Sequence, residues 1–262
     1  AVRYQATWVS IVTFCVKLLK EKEVPEHNFR LWGEAMCEPP SDAYFGVKTL
    51  GWFGMTETVA HPIVGYINQP NRSMSMGRPA PEYDIAITRE DGSQVERNEV
   101  GQLCIGGIPG LSLFSEYLYD EKATEDSFDE NGRFLTGDLV ESYDDGFILY
   151  RGRLKDMMKV RGENVAASEI EKAINKMPEV LESAVVGKLN DLHGDLPVAY
   201  VVPGQSNNMP EKALVDLVIK NCRSALADFK VPTEVRIIEE LPRIGPLAKI
   251  DKLGLRKEVN EG

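Results

Sequence analysis

The segment from Gly51 to Thr58 combines residue types that could hold a planar ring beside a metal ion. Glycines flank the aromatic pair Trp52 and Phe53, and the carboxylate of Glu57 stands between two threonine hydroxyls. A flat ring packs well against an aromatic side chain, and a carboxylate oxygen is a ligand that Mg²⁺ prefers. A glycine-rich turn after a strand, with a packed tryptophan, has the same composition, so both interpretations stay open at this point.

A second candidate carboxylate is Asp138, which follows Thr136 and Gly137 between two predicted strands. An aspartate after a glycine is most often a turn former. The functional alternative is a carboxylate that accepts hydrogen bonds from the hydroxyl groups of a sugar. The two interpretations differ in whether Asp138 is a solvated turn residue or faces a ligand.

Basic residues are concentrated over residues 151–161, where they alternate with methionine and valine. This alternation predicts a strand with one buried face and one polar face. Gly152 and Gly162 lie near its two ends and allow backbone conformations that other residues resist. Asp156 lies between them, at a point where the chain could pivot. We therefore expect one domain to end before this segment and a smaller one to follow it.

The elements that must position these residues predict an α+β fold in three parts. Residues 1–65 are expected to be the end of an α/β subdomain, with a helix over residues 8–19 and a strand over residues 29–32. Residues 66–155 contain short alternating runs between glycine- and aspartate-rich turns, which predicts a small distorted β-barrel or a sandwich. Residues 156–262 are expected to form a compact C-terminal α+β domain.

Within the C-terminal part, local signals predict alternating helices and strands. Ser168 and Glu171 have the spacing of a capping box at the start of a helix that ends near Met177. The elements expected after it are two strands, a long helix and a further strand, over residues 183–186, 198–202, 211–226 and 234–238. A loop rich in proline and glycine follows and carries Lys249 at its end.

The overall composition argues against several classes of protein. The formal net charge of −11 gives no support to nucleic-acid binding. The four cysteines contain no CxxC pair, so a structural zinc site is not expected, and scattered thiols are typical of a reduced, cytoplasmic protein. The apolar run over residues 8–19 is interrupted by Lys17 and is too short to span a bilayer. The chain begins without a methionine and without a signal peptide, so we expect a fragment of a longer protein.

Six segments, taken in order, resemble the C-terminal half of the adenylate-forming superfamily, which includes acyl-CoA synthetases, peptide-synthetase adenylation domains and beetle-type luciferases. The segments are Gly33-Glu34-Ala35, Gly54-Met55-Thr56-Glu57, Gly77-Arg78-Pro79, Thr136-Gly137-Asp138, Gly152-Arg153-Leu154-Lys155-Asp156 and Lys249-Ile250. Each segment alone is a weak signal, whereas the ordered set is specific and covers nearly all of the chain. Residues 32–40 are most similar to bacterial carnitine/crotonobetaine-type CoA ligases and to medium-to-long acyl-CoA synthetases, which implies a setting in fatty acid metabolism.

The resemblance implies an AMP-forming acid–thiol ligase that uses ATP, Mg²⁺ and coenzyme A. A carboxylic acid attacks the α-phosphate of ATP, which gives an acyl-adenylate and pyrophosphate, and the thiol of coenzyme A then takes the acyl group. The C-terminal domain swings between the two steps about a hinge, which the resemblance assigns to Asp156. Residues 1–65 would then belong to a nucleotide-binding subdomain.

Each matching residue takes the role that the resemblance implies. In the first step Thr56 would bond the phosphate, Glu57 would hold Mg²⁺, and Lys249 would bring a positive charge to the carboxylate and the departing pyrophosphate. The adenine and the ribose would be held by a larger set, namely Gly33, Glu34, Ala35, Phe53, Gly54, Asp138 and Arg153. Coenzyme A would be reached in the second step by Lys159, Arg161, Gly162 and Asn164.

The sequence departs from the family pattern in two places. The glycine-, serine- and threonine-rich phosphate loop, which lies upstream in the family, is not in this sequence, so we expect the chain alone to bind pyrophosphate poorly. The terminal loop of the family reads Pro-Arg-Thr-x-Thr/Ser-Gly-Lys-Ile. Here the hydroxyls are gone between Arg243 and Lys249, Ala248 replaces the glycine, and one residue is inserted. A loop that must place a charge to within about an ångström would be affected by this change, because a small displacement of the charge lowers the rate.

Two other functions stay open. An amino-acid-activating domain of a peptide synthetase would share the same motifs but would need a carrier-protein domain downstream. A non-catalytic relative would bind a nucleotide or an acyl ligand without turnover, and the altered Lys249 loop motivates that alternative. The acid itself is not identified, because the family builds most of the acyl pocket from the preceding half.

Overall fold

The computed structural model describes residues 2–20, 22–37, 39–190, 192, 194–204, 209–245 and 248–261. These residues form two compact units, one up to Arg151 and one from Gly152 onward. The first unit contains a large mixed sheet, and the second is an α+β unit with a mainly antiparallel sheet. Over the described ranges, no helix is both long and apolar enough to cross a membrane.

The first unit is built on one nine-stranded sheet. Its strands in chain order are β1 (Trp8–Ser10), β2 (Leu31–Glu34), β3 (Lys48–Phe53), β4 (Ile63–Val64), β5 (Ser75–Pro79), β6 (Asp84–Thr88), β7 (Val100–Gly106), β8 (Phe134–Ser142) and β9 (Ile148–Arg153). They lie in the order β1-β2-β3-β4-β5-β9-β8-β7-β6. β1, β2 and β3 pair in parallel, whereas the pairs from β3–β4 onward for which a register is defined are antiparallel.

Three short helices accompany this sheet: α1 (Thr13–Lys20), α2 (Pro39–Phe45) and α3 (Glu121–Asp126). The parallel part has its own small core, in which Trp32 of β2 packs edge-on against Phe45 of α2 at 5.0 Å between ring centroids. The antiparallel part has a separate core of strand residues, including Leu103, Ile105 and Ile148. Two cores under one sheet explain why the sequence suggests two subdomains here.

One prediction for this unit needs correction. Residues 8–10 form a strand and not the first turn of a helix, because Trp8–Ser10 pairs in parallel with Leu31–Gly33, and the helix begins only at Thr13. The strands of residues 66–155 continue the sheet of the parallel strands, because β4 and β5 join the two sets. The described pairs run in one open order that does not return to its start.

The second unit contains a sheet of five strands and a two-stranded hairpin. The sheet strands are β10 (Met157–Val160), β11 (Glu163–Ala166), β12 (Val180–Asn190), β13 (Gly194–Pro203) and β14 (Glu234–Ile237), and the hairpin strands are β15 (Arg243–Ile244) and β16 (Lys249–Ile250). The helices are α4 (Ala167–Asn175), α5 (Glu211–Ala225) and α6 (Lys252–Glu261). The predicted strand over the methionine-rich segment is confirmed as β10.

The β12–β13 pair carries two cores, because successive side chains of a strand point to opposite faces. Val185 packs in the cluster that holds the buried residues of α4 and α5. Its neighbours Ala184 and Val186 belong to the other cluster, with Leu255 and Val259 of α6. The unit is therefore a sheet with helices on two faces.

The predicted capping box at Ser168 is wrong. The helix begins at Ala167, and the residue before it makes no side-chain cap. The chain passes from β11 directly into α4, so Ser168 already lies inside the first turn. Glu171 instead accepts a hydrogen bond from the backbone N–H of Val185 at 2.7 Å and pairs with Lys252 at 2.6 Å.

Candidate functional site

In the first unit, candidate residues follow the ends of the parallel strands β2 and β3. Glu34 of β2 lies opposite Gly51 of β3, so both strands end at the same edge. Gly33 is buried, and a Cβ at this position would lie 1.9 Å from the indole of Trp52. Only glycine therefore allows Trp52 to pack on the backbone of β2, and the opposite face of that indole stays available for ring contacts.

Trp52 stacks on His61, with ring centroids 4.6 Å apart and an interplanar angle of 5°. Gly54 lies beneath the same imidazole, because a Cβ there would be 2.6 Å from His61 Nδ1. Phe53 is half-buried and packs against the core of the antiparallel part, whereas Ala35 is exposed directly after β2. The predicted adenine-framing residues 33–35 and 53–54 thus lie at neighbouring strand ends.

Thr56 and Glu57 lie on one short 3₁₀ turn, Thr56–Thr58, directly after β3. The buried hydroxyl of Thr58 braces this turn, because it accepts the N–H of Met55 at 3.1 Å and lies 3.0 Å from the carbonyl oxygen of the same residue. The carbonyl oxygen of Glu57 accepts the N–H of Phe114 at 2.8 Å. The backbone that carries both side chains is therefore held on two sides.

Tyr117 holds the Glu57 side chain, since its hydroxyl donates to Glu57 Oε1 at 3.0 Å. Burial raises the pKa of Tyr117 to about 12, with further contributions from the hydrogen bond and the negative charge of Glu57. The phenol therefore stays protonated at neutral pH and donates to the carboxylate. Sequence reasoning missed Tyr117, because no local pattern links two residues sixty positions apart.

Asp138 lies inside β8, and not between two strands as predicted. Gln102 of β7 faces Leu139, and Cys104 faces Leu135, so the register shifts across Thr136, Gly137 and Asp138. This motif is a β-bulge, a device that redirects a side chain within a sheet.

The bulge is built from its own residues. Gly137 takes a left-handed φ of 69°. The hydroxyl of Thr136 donates to the carbonyl oxygen of Leu103 at 2.8 Å and accepts the N–H of Asp138 at 3.0 Å. Asp138 is only 2% exposed, which does not fit a solvated turn former. The described geometry favours a carboxylate placed for a specific contact.

A single carboxylate at position 57 fits Mg²⁺, which usually keeps several waters and takes one or two carboxylates together with substrate phosphates. A cage made only of protein ligands is not indicated, because no group of three or more His, Cys, Asp or Glu side chains is close enough among the described residues. Glu57 would therefore hold the ion together with the phosphates of a bound nucleotide.

The thiols of the chain are poor nucleophiles where they are buried. Burial is the largest cause that raises the pKa of Cys37 and of Cys104, and it raises the pKa of Cys222 to about 11. Cys15 is exposed on α1. The three buried thiols stay protonated at neutral pH, which does not suit a covalent cysteine mechanism.

In the second unit, the residues predicted to reach coenzyme A lie on the β10–β11 hairpin. Its two-residue turn consists of Arg161 and Gly162, with φ values of 52° and 88°, and Val160 faces Glu163 across it. Two successive left-handed residues are typical of a type I′ turn. Lys159 and Asn164 face each other on the flanking strands, and both are exposed.

A groove of about 510 Å³ lies beside this hairpin. Its lining residues combine two cations, one carboxylate, two leucines and two glycines, namely Lys159, Arg161, Gly162, Leu189, Leu192, Gly194 and Asp195. Asp195 accepts the backbone N–H of Lys159 at 2.8 Å, which ties β10 to the start of β13. Three of the four residues predicted to reach coenzyme A thus line one groove, and Asn164 is not among its lining residues.

The predicted hinge residue Asp156 lies on a short 3₁₀ turn, Leu154–Asp156, that follows β9. Lys252 of α6 lies 3.7 Å from Asp156, and Arg256 donates to the carbonyl oxygen of Lys155 at 3.2 Å. Arg153, the last residue of β9, directly precedes this turn. The two units divide between Arg151 and Gly152, a few residues before Asp156.

Lys249 is exposed on the hairpin strand β16, where it lies opposite Ile244 of β15. Ala248 directly before it has a left-handed φ of 49°. A glycine adopts this conformation without steric cost, whereas the Cβ of Ala248 makes it strained. Pro246 and Leu247, which the predicted loop includes, lie outside the described residues.

Comparison with known proteins places these observations in one family. Residues 169–246 match the family description "AMP-binding enzyme C-terminal domain". The crotonobetaine/carnitine–CoA ligase of Proteus mirabilis strain HI4320 is 32% identical over 250 residues, which are 92% of this chain and 48% of the relative. The chain therefore spans about half the length of the curated relatives that it matches.

Solved structures agree with this match. ATP-bound MatB from Rhodopseudomonas palustris has a TM-score of 0.85 at 26% identity, over 97% of this chain and 51% of that one. O-succinylbenzoate coenzyme A synthetase from Bacillus subtilis, in complex with ATP and a magnesium ion, has a TM-score of 0.80 at 26% identity, over 98% of this chain and 52% of that one. The chain belongs to the adenylate-forming superfamily, as a homologue of the C-terminal half of its AMP-forming acyl-CoA ligases.

Proposed function

We propose that the whole protein containing this chain is an AMP-forming acyl-CoA ligase that uses ATP, Mg²⁺ and coenzyme A. The observation that carries the proposal is the fixed carboxylate of Glu57 at the end of two parallel strands, held by Tyr117 at 3.0 Å. A structural glutamate on an exposed turn would not need a half-buried phenol and a backbone hydrogen bond to hold it. The similarity to CoA ligases over 92% of the chain supports the same assignment.

In the first step, the residues of the first unit position the nucleotide. Thr56 bonds the phosphate, and Glu57 orients Mg²⁺, which supplies charge neutralisation on the phosphates when it is bound. The adenine and the ribose are held by the set Gly33, Glu34, Ala35, Phe53, Gly54, Asp138 and Arg153. Lys249 brings its cation to the carboxylate and the departing pyrophosphate.

In the second step, the β10–β11 hairpin replaces Lys249 at the site. Lys159, Arg161, Gly162 and Asn164 then reach coenzyme A, and the groove beside the hairpin supports this role, because its cations suit phosphates and its leucines suit an apolar arm. The chain turns at Asp156 between the two steps. In the same proposal the chain consists of parts 1–65, 66–155 and 156–262, the middle part is curved like a barrel, and the protein is cytoplasmic.

The substrate is a carboxylic acid. The relatives named as crotonobetaine/carnitine–CoA ligases make short trimethylammonium acids the first class to test, and medium-to-long fatty acids are the second class.

The test is formation of AMP by the whole protein with ATP, Mg²⁺ and coenzyme A, against a panel of carboxylic acids that includes carnitine, crotonobetaine, fatty acids and amino acids. We expect AMP only when one class of acid is present, and thioester formation that requires coenzyme A.

Glu57→Gln should lower the rate of adenylation by about a hundredfold, a loss typical of removing one group that stabilises the transition state. Glu90→Gln, on an exposed turn, is the matched control and should leave the rate unchanged. AMP release that ignores both the acid and the Glu57 change would disprove the assignment.

A non-catalytic relative is the second candidate, and the altered residues around Ala248 favour it specifically. Calorimetry with a non-hydrolysable acyl-adenylate analogue measures binding, and the turnover assay measures chemistry. Binding of the analogue without any AMP formation would support the non-catalytic relative. AMP formation that depends on an amino acid would instead support an amino-acid-adenylating domain.

A further inference from the structure

The lysine hairpin is closed by backbone hydrogen bonds at both ends. The N–H of Ala248 donates to the carbonyl oxygen of Gly245 at 3.1 Å, and the N–H of Asp251 donates to the carbonyl oxygen of Pro242 at 2.8 Å. These bonds fix the path of the chain around Lys249 but do not attach the hairpin to the rest of its unit. Two strands of two residues each, Arg243–Ile244 and Lys249–Ile250, are too short to be stable alone.

Arg243 provides a polar attachment, beside the packing of Ile250 against the cluster that contains Leu255 and Val259. One end of its guanidinium donates to both carboxylate oxygens of Glu182, at 2.7 and 2.6 Å. Another nitrogen of the same group donates to the carbonyl oxygen of Ala248 at 3.1 Å. Glu182 lies on β12, and its side chain is only 15% exposed. One planar group thus joins the residue directly before Lys249 to β12, the strand at one end of the order β11-β10-β13-β12.

We propose that Arg243 is a positioning residue for Lys249, through a clamp that consists of Arg243, Glu182 and the carbonyl oxygen of Ala248. The inference rests on the proposed function, because it assigns Lys249 to the adenylation step. A guanidinium suits this task, since its rigid fork can bind a carboxylate and a carbonyl at the same time, whereas a lysine ammonium is a point charge.

The clamp predicts that the two half-reactions respond differently. In the whole protein, Arg243→Met should lower acyl-adenylate formation by about tenfold to a hundredfold, because a displacement of about 1 Å can cost about a hundredfold. Transfer from a supplied acyl-adenylate to coenzyme A should change by less than about twofold, because Lys249 is not used in that step. Lys249→Ala gives the reference pattern, and Arg243→Met should reproduce its direction.

Two further variants separate the clamp from a general loss of stability. Glu182→Gln removes the charged partner and should lower the adenylation rate in the same direction. Arg243→Lys keeps the charge but cannot span both partners, so it should resemble Arg243→Met. Arg97→Met is the matched control, because Arg97 also pairs with a carboxylate, Asp144 at 3.1 Å, but on an exposed surface of the first unit.

Trypsin provides a readout that does not depend on catalysis. Cleavage after Lys249 should become faster in Arg243→Met and Glu182→Gln, whereas cleavage after Lys220 on helix α5 should stay as in the wild type. Faster cleavage at both sites would show unfolding of the unit and would overturn the clamp.

The outcomes also separate this inference from the proposed function. A wild-type protein that forms no acyl-adenylate with any acid overturns the proposed function, and the inference falls with it. An active wild type with undiminished adenylation in Arg243→Met overturns the inference alone, and so does an equal loss in both half-reactions. Loss of the first half-reaction only, with cleavage raised at Lys249 only, supports it.

Discussion

At the scale of single residues, the candidate site depends on groups that hold other groups. Tyr117 has no part in the motif set, yet its hydroxyl fixes the carboxylate that the motif contributes. Its ring packs against Phe114 at 4.8 Å between centroids, and the backbone N–H of Phe114 holds the carbonyl oxygen of Glu57. A short stretch of chain thus holds both the backbone and the side chain of Glu57.

We predict that Tyr117→Phe weakens the use of Mg²⁺ without unfolding the protein. The ring packing is kept, so the protein should stay folded, although loss of a hydrogen bond to a charged group costs about 1.5–3 kcal/mol and lowers the melting temperature by several degrees. The Mg²⁺ concentration that gives half-maximal adenylation should rise about tenfold or more in the whole protein. Binding of Mn²⁺ in the presence of a nucleotide, followed by electron paramagnetic resonance, should weaken in parallel.

Tyr119→Phe is the matched control for this experiment, because Tyr119 lies two residues away and is 98% exposed. It should leave the metal dependence unchanged. Equal effects of the two changes would contradict a specific role for the Tyr117 hydroxyl.

At the scale of elements, alternating apolar residues are sufficient to predict several strands. The alternation over Asp84–Thr88 and Met157–Val160 corresponds to β6 and β10, because each strand has one face in a core. The helix predicted over residues 8–19 is wrong in its first part, because tertiary pairing there overrides the local pattern. Its first residues pair with β2, and no pattern local to them signals that partner.

The elements of the candidate site are likewise only partly predictable from local sequence patterns. Glycine and a hydroxyl next to Asp138 suggest a turn, but the register of β7 against β8 turns the motif into a bulge. The type I′ turn at Arg161 and Gly162 needs a left-handed residue that glycine supplies readily, and the sequence marks it by Gly162. The groove beside that turn could not be predicted, because Leu189, Leu192 and Asp195 come from the distant β12–β13 region.

We predict that Gly33→Ala destabilises the parallel part of the sheet. The new methyl group would overlap the Trp52 ring, which lies 1.9 Å from the position that a Cβ would take, and overpacking typically costs about 1–3 kcal/mol. Urea unfolding should show the loss. The additional change Trp52→Ala should remove most of the clash penalty, so the two changes should not be additive.

Gly204→Ala is the control for this comparison, because the nearest atoms to a Cβ there are 3.3 Å away. It should cost clearly less than Gly33→Ala. A Gly33→Ala protein as stable as the Gly204→Ala protein would contradict the packing of Trp52 on β2.

At the scale of the whole molecule, the second unit has what an independent domain needs. It has helices on two faces of its sheet and two buried clusters of its own. The family match at residues 169–246 lies entirely within it. Domains of about 100 residues with their own core usually fold alone.

We therefore predict that a protein of residues 152–262 folds cooperatively by itself. Circular dichroism should show mixed helix and strand content, and urea should give one sigmoidal transition. Val218→Asp in the buried cluster of α5 should abolish that transition, whereas Lys220→Asp on the exposed side of the same helix should keep it. A broad, non-cooperative loss of signal in the unchanged protein would contradict an independent fold.

Lys252 lies at different distances from its two carboxylate partners, Glu171 and Asp156, and this difference affects rotation at Asp156. The ammonium lies 2.6 Å from Glu171 but 3.7 Å from Asp156. Rotation at Asp156 can therefore break the longer contact while Lys252 stays paired with Glu171 of α4. If the chain turns at Asp156 as proposed, the contacts to break are those of α6 with this turn, from Lys252 to Asp156 and from Arg256 to the carbonyl oxygen of Lys155. The pair between Lys252 and Glu171 would meanwhile keep α6 attached to α4.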